Sequence, residues 1–236
     1  MEHVLILGGT KGIGFALARQ LLDHDFRVTI AGRSATSLAT ALAKLDSPHA
    51  AGVSIDMRDL AATRNVIAGV GALDHLVLCG SSDVAWGPFA ELDMAKVEAA
   101  LHMKLVGFLN ATQASLPHLA VRGSVTFVGG AASRAAMPDT VGLAAVNGGL
   151  EMATRTLARE LAPRRVNLVS PGLTDTESYD YLAAEAKAGM FAGAAGKLPV
   201  GRTGLPDDIA QVIRLAISNS FISGAVLDVD GGAHLG

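Results

Sequence analysis

The chain has 236 residues, half of them hydrophobic and only 17% charged, with a formal net charge of −3. That length accommodates one large domain with a substantial core, and the charge balance supplies no basic face for nucleic acid. The single cysteine excludes an internal disulfide and any multi-cysteine zinc site. No uncharged stretch approaches the ~20 residues of a membrane span. Met1-Glu2-His3 lacks the basic start of a secretory signal. The expectation is a cytoplasmic protein that takes a small-molecule substrate, with neither nucleic acid nor membrane as partner.

The apolar run Val4-Leu5-Ile6-Leu7 predicts a first strand over 3–8. It runs straight into Gly8-Gly9-Thr10-Lys11-Gly12-Ile13-Gly14, after which apolar periodicity predicts a helix over 12–23. Backbone amides at a helix start suit a phosphate, and glycine lets that phosphate come close. In an α/β context this junction reads as a nucleotide-binding loop. A second strand is predicted over 27–31, followed by Gly32, Arg33 and Ser34, with Ser34 as N-cap of a helix over 34–45. Folds that prefer NAD place an acid near this strand end to accept bonds from the ribose 2′-hydroxyl. Here Arg33, Ser34 and Lys11 are placed to converge on a 2′-phosphate, which favours NADP(H). The competing reading makes Arg33 a solvated residue at a helix start.

Further strands are predicted over 51–55, 74–79, 123–129, 165–170 and 225–229, and further helices over 59–69, 93–120, 139–162 and 206–219. Pro206 with Asp207 and Asp208 suits the start of the last helix. The stretch 174–202 breaks the alternation with many alanines, Gly189, Gly193 and Gly196, Tyr179 and Tyr181. It reads as a helical lid over the ligand crevice. Strands alternating with helices, with near-continuous apolar strands, predict an α/β fold: a Rossmann-type doubly wound parallel sheet of about seven strands with helices on both faces. No composition shift or repeat divides 1–236 into two domains.

The glycine motif, Ser54-Ile55-Asp56-Met57-Arg58-Asp59, Ser170-Pro171-Gly172-Leu173-Thr174-Asp175-Thr176 and Gly224 to Gly232 occur in this order. Together they resemble the short-chain dehydrogenase/reductase family over nearly the whole chain. The resemblance implies that Asp56 meets the adenine amino group and Met57 lines the ring. It implies that Pro171, Gly172 and Leu173 line the cofactor and that Thr176 touches the nicotinamide carboxamide. It also implies a dimer or tetramer through the helices at 93–120 and 139–162 and the last strand. The small face Ala144, Ala145, Gly148, Gly149 and Met152 suits such packing.

Elsewhere the chain departs from the family. The fourth-strand exit, Asn-Asn-Ala-Gly in the family, reads Leu78-Cys79-Gly80-Ser81, with Gly80 still allowing backbone approach to the cofactor. The family Tyr aligns with Leu143, the Lys four residues on with Asn147, the Ser with Gly129-Gly130 and the Asn with Lys104. No tyrosine precedes Tyr179, so a small slip in alignment does not restore the family's proton donor.

Lys104 then stands either as a site residue, its ammonium replacing the missing Lys and its pKa lowered by burial, or as a surface lysine on an amphipathic helix. Ser133 is placed to donate to a substrate carbonyl or is an ordinary loop serine, and Arg134 beside it a solvated arginine. Asn147 is placed to keep a neutral bond to the ribose. Cys79 reads as a packing residue, His102 as structural, and Tyr179 and Tyr181 as lid residues packed over the ligand or reaching in as acids.

Three functions remain open at this point. One is an NADPH-dependent reductase of a small carbonyl- or imine-type substrate with rearranged catalytic groups. The second is a dehydratase, isomerase or cyclase on the same scaffold. The third is a catalytically silent NADP(H)-binding protein.

Overall fold

The structure, a computed structural model, describes residues 1–80 and 85–235. Ser81 of the fourth-strand exit lies outside them. In chain order the elements are β1 (His3–Leu7), α1 (Gly12–Leu22), β2 (Arg27–Gly32), α2 (Ala35–Leu45), β3 (Ala50–Ser54), α3 (Leu60–Val70) and β4 (Leu73–Leu78). Then come α4 (Met94–Ala100), a π-helical turn (Leu101–Val106), α5 (Gly107–Ser115), β5 (Leu119–Val128), α6 (Val141–Glu160) and β6 (Arg165–Pro171). A 3-10 turn at Glu177–Tyr179, α7 (Ala184–Ala195), α8 (Pro206–Ser218) and β7 (Val226–Val229) complete the chain's main elements.

The seven strands form one parallel sheet in the order β3-β2-β1-β4-β5-β6-β7. Successive side chains of a strand point to opposite faces, and both faces here are apolar. In β1, Val4 and Ile6 join Leu17, Leu21, Leu38, Ile209 and Ile213 on the face covered by α1, α2 and α8. Leu5 and Leu7 join Ile67, Phe108, Ala111 and Leu150 on the face covered by α3, α5 and α6. The expected doubly wound architecture is therefore the observed one.

One expected element divides. The helix expected over 93–120 is α4, a π turn and α5, ending at Ser115, and β5 begins at Leu119 rather than 123. At the π turn Gly107 N–H reaches the carbonyl of His102, five residues back. Gly107 also lets the helix lie on the chain after β3: a Cβ there would sit 3.2 Å from the Met57 carbonyl. Over 174–202 the chain forms the 3-10 turn and α7, with Tyr179 edge-on to Phe191 and Lys187 paired at 3.0 Å with both Asp175 and Asp180. Among the described residues no helix is long and apolar enough to cross a membrane.

Candidate active site

The strand order reverses between β1 and β4, and the crevice beyond the C-terminal ends of those strands is where such sheets take ligands. The glycine loop fills the β1 side. Gly8 has φ +82°, and a Cβ on it would lie 2.3 Å from the Cys79 carbonyl. The N–H groups of Gly8 and Gly9 both donate to Ala31 O, which ties the loop to β2. Gly14 lets α1 sit on the loop, since a Cβ there would lie 2.3 Å from Gly8 O. Ile13 packs behind the loop on the α1 face of the core. Gly12, φ +55°, opens α1, and its N–H donates to a carboxylate oxygen of Glu177 at 2.9 Å. The Thr176 side chain lies 3.3 Å from where a Gly12 Cβ would be, so the chain after β6 roofs the loop.

At the β2 end, a Cβ on Gly32 would strike the Thr10 methyl at 2.6 Å. An acid at position 32 is therefore excluded while Thr10 keeps its place. Lys11, Arg33 and Ser34 are exposed beside it, and the Ser34 hydroxyl caps α2 by accepting from Ser37 N–H at 3.3 Å. After β3, Asp56 is gripped by Arg58, whose Nε lies 3.0 Å from Oδ1 and whose terminal nitrogen lies 2.6 Å from Oδ2. This pairing holds the Asp56 carboxyl below the usual carboxylate range.

The room beside Gly80 is occupied by protein: a Cβ there would meet the Phe108 ring at 2.9 Å and the Met57 methyl at 3.2 Å. Glycine at position 80 thus answers to packing against Phe108. At the β6 exit Pro171 is buried, and a Cβ on Gly172 would meet the Asp230 backbone at 2.7 Å. The Leu173 carbonyl accepts from Gly204 N–H at 2.9 Å.

The β5 side carries the ionisable centre. The π turn directs Lys104 inward, where it is 5% exposed. Its ammonium donates to Gly129 O and to Asn147 Oδ1, both at 2.9 Å. Burial lowers its pKa to about 8, against an opposing contribution from the Cys79 thiol. Burial pushes that thiol up to about 12, so Cys79 is an inert packing group. Leu143 packs into a small apolar cluster with Ala85, Val97, Ala100, Leu101 and Val146. Beside it lies a cavity of about 330 Å³ lined by Phe89, Ala132, Met137, Pro138, Val141 and Ala144 among others.

Ser133 follows β5 as expected, but its hydroxyl is engaged within the chain. Its hydroxyl makes a short hydrogen bond to the Glu151 carboxylate and also lies 3.0 Å from Gly130 O. A hydroxyl has one proton to give, and here a carboxylate within the chain takes it. Arg134, expected in solvent, joins the same chain of contacts at 3.3 Å from Glu151 and 2.7 Å from Asp228. Glu151, which ties this cluster together, escaped the sequence reading. Its only signal is a lone acid one turn beyond Asn147 on an otherwise apolar helix face. Tyr181 is 69% exposed and does not reach toward the Lys104 centre.

Residues 8–234 match the family model described as enoyl-(acyl carrier protein) reductase. An uncharacterized oxidoreductase of Methylorubrum extorquens is 32% identical, over 98% of this chain and 96% of its own length. A small-chain dehydrogenase solved in complex with NADPH is 34% identical, with a TM-score of 0.85 over 100% of this chain and 99% of its own. The MalC reductase/Diels-Alderase of Malbranchea aurantiaca is 25% identical, with a TM-score of 0.91 over 100% and 97%. The glycine loop at the β1–β4 reversal, the matching family model and these full-length relatives agree: the chain belongs to the short-chain dehydrogenase/reductase family.

Proposed function

We propose that this protein is an NADPH-dependent reductase of a small, apolar carbonyl- or imine-type compound, working with an atypical catalytic set centred on Lys104. The observation that carries the reading is the buried Lys104 ammonium, bonded to Gly129 O and Asn147 at the β5–α6 junction. The residues fit the cofactor. The backbone cradle at Gly8, Gly12 and Gly14 has no room for a Cβ at Gly8 or Gly14, and its Gly12 amide already holds a carboxylate. Thr10, Lys11, Ile13, Arg33 and Ser34 would hold the phosphates, with the barred acid at position 32 supporting NADP(H). Asp56, Met57, Cys79 and Gly80 would flank the adenosine and the strand exits, and Asn147, Pro171, Gly172, Leu173 and Thr176 the nicotinamide half. When bound, NADPH supplies a hydride.

Leu143 has no proton to give, so the reduced oxygen or nitrogen must take its proton from another group. Lys104, with a pKa lowered by burial toward neutrality, can give one from Nζ and recover it from water. As the alkoxide forms, its negative charge is met by the ammonium in a site of low polarity, where such stabilisation is strongest. Phe89, Met137, Pro138 and Val141 would exclude water and select an apolar substrate. On α6, Val141, Ala145, Gly148 and Met152 form a line open to a second copy, supporting a dimer or tetramer. Gly149 leaves that face and packs on Leu105, and Ala144 turns to the cavity.

The test is NADPH titration by fluorescence, followed by a carbonyl and imine screen read by loss of reduced-nicotinamide absorbance. The expected result is NADPH bound in preference to NADH and oxidised on turnover, with Lys104→Ala reducing turnover ~100-fold or more. Product without oxidation of NADPH would replace this reading with a non-redox one, which the unreactive Leu143 favours. Tight binding with no turnover would make the protein a silent NADP(H) binder.

A further inference from the structure

The four departures from the family pattern are not four separate losses. Where the family has Asn in the helix before β5 and Lys in the helix after it, this chain has Lys104 and Asn147, and the two touch at 2.9 Å. The positive charge stays in the site but is mounted on the opposite helix. Lysine only donates, so the oxygen of the Asn147 amide faces Lys104 and its NH₂ is fixed in the other direction. That NH₂ lies against Gly130: a Cβ at position 130 would sit 3.0 Å from Asn147 Nδ2. A serine there, as in the family, would press on the amide, which would have to give by a few tenths of an ångström. The neighbouring Gly129 carbonyl takes a second ammonium proton. Two of the three N–H bonds are thus engaged within the chain, and one is left for a ligand.

We propose that Asn147 is a positioning residue for Lys104, fixing its ammonium with one N–H free for a ligand, and that Gly130 is the companion change that makes room for the Asn147 amide. This rests on the reading of Lys104 as the proton donor given above. The groups facing Lys104 are few among the described residues. The β4 exit contributes the Cys79 thiol, the β5 exit the Gly129 carbonyl, and α6 Asn147. Glu151, one turn along α6, is engaged with Ser133 and Arg134. On the π turn itself His102 is exposed.

The experiment follows the titration of Lys104 itself in the intact protein. The pH dependence of its acetylation is read by peptide mass spectrometry, with and without NADPH. Asn147→Leu removes the acceptor and should lower the Lys104 midpoint, whereas Asn147→Asp adds a negative charge and should raise it, each by ~1 pH unit. Gly130→Ser should move it in the same direction as Asn147→Leu. Opposite shifts in folded variants with matching circular dichroism are outside the reach of a merely structural role. A midpoint unmoved in both Asn147 variants would overturn the proposal. If either Asn147 variant fails to fold, Gly130→Ser decides, an unmoved midpoint again counting against it. The midpoint is read without turnover. A wild-type protein that shows the shifts but oxidises no NADPH defeats the reductase reading and leaves this positioning role standing.

Discussion

The proposed cofactor choice comes down to the last residue of β2 and the one that follows it. Gly32 has no room for a Cβ beside Thr10, and Arg33 stands exposed next to Lys11 and Ser34. A 2′-phosphate bound there would take charge-assisted hydrogen bonds from a guanidinium, worth roughly 1.5–3 kcal/mol each. Replacing Arg33 by Glu should therefore weaken NADPH ~10- to 100-fold and leave NADH near its wild-type affinity or tighter. Fluorescence titrations of both cofactors would check it, and an unchanged NADPH affinity would return Arg33 to a solvated helix-start role. The expectation comes from the sequence alone, because it needs only the absence of an acid and the presence of a cation at one strand end. The engagement of Ser133 was not legible there. Its expected role depended on where one proton goes, and the acceptor, Glu151, comes from a helix 18 residues away.

At the scale of elements, seven strands and the helices between them could be read from apolar runs and periodicity because burial on both sheet faces imposes both patterns. The break between α4 and α5 could not. A π turn inserts one residue into a helix without changing composition, so 93–120 reads as one continuous helix. Yet that turn is what aims Lys104 inward, and functional sites are frequent hosts for such turns. The chain after β6 behaves similarly: its helical content was legible, its contact with the glycine loop was not. Glu177 donates nothing to that contact; its carboxylate accepts the Gly12 N–H that a cofactor phosphate would use. Two anions do not share one helix start, so the carboxylate opposes the phosphate. Glu177→Gln should bind NADPH several-fold more tightly, corresponding to ~1 kcal/mol at an exposed contact. Equal or weaker binding by both Glu177→Gln and Glu177→Ala would show that the carboxylate does not compete.

Across the whole molecule, the parallel sheet separates chemistry from structural titration. Every candidate cofactor and catalytic group lies at or beyond the C-terminal ends of the strands. The opposite ends carry a buried polar belt that the sequence reading passed over. There His3 lies 2.8 Å from both the Ala72 carbonyl and Thr29 Oγ1, and His75 lies 2.8 Å from Ser124 Oγ. Burial lowers the pKa of both rings below the ordinary histidine value of 6.5. Arg27 adds to the effect at His3, and the carboxylates of Glu2 and Asp74 oppose it at His75. The unfolded chain therefore takes up protons at these histidines as pH falls through about 6.5, while the folded chain does not. Stability is greatest above that pH and is lost progressively below it, down to the folded-state values. The double variant His3→Gln, His75→Gln should have a lower Tm near pH 8, from the altered hydrogen bonds, but a visibly flatter fall in Tm between pH 7 and 5. Thermal melts across that range check it. Equal slopes for variant and wild type would assign the acid sensitivity to other groups. Because these rings lie at the opposite strand ends from Lys104, the same variant should leave NADPH binding in place, so loss of fold and loss of cofactor can be told apart in one titration.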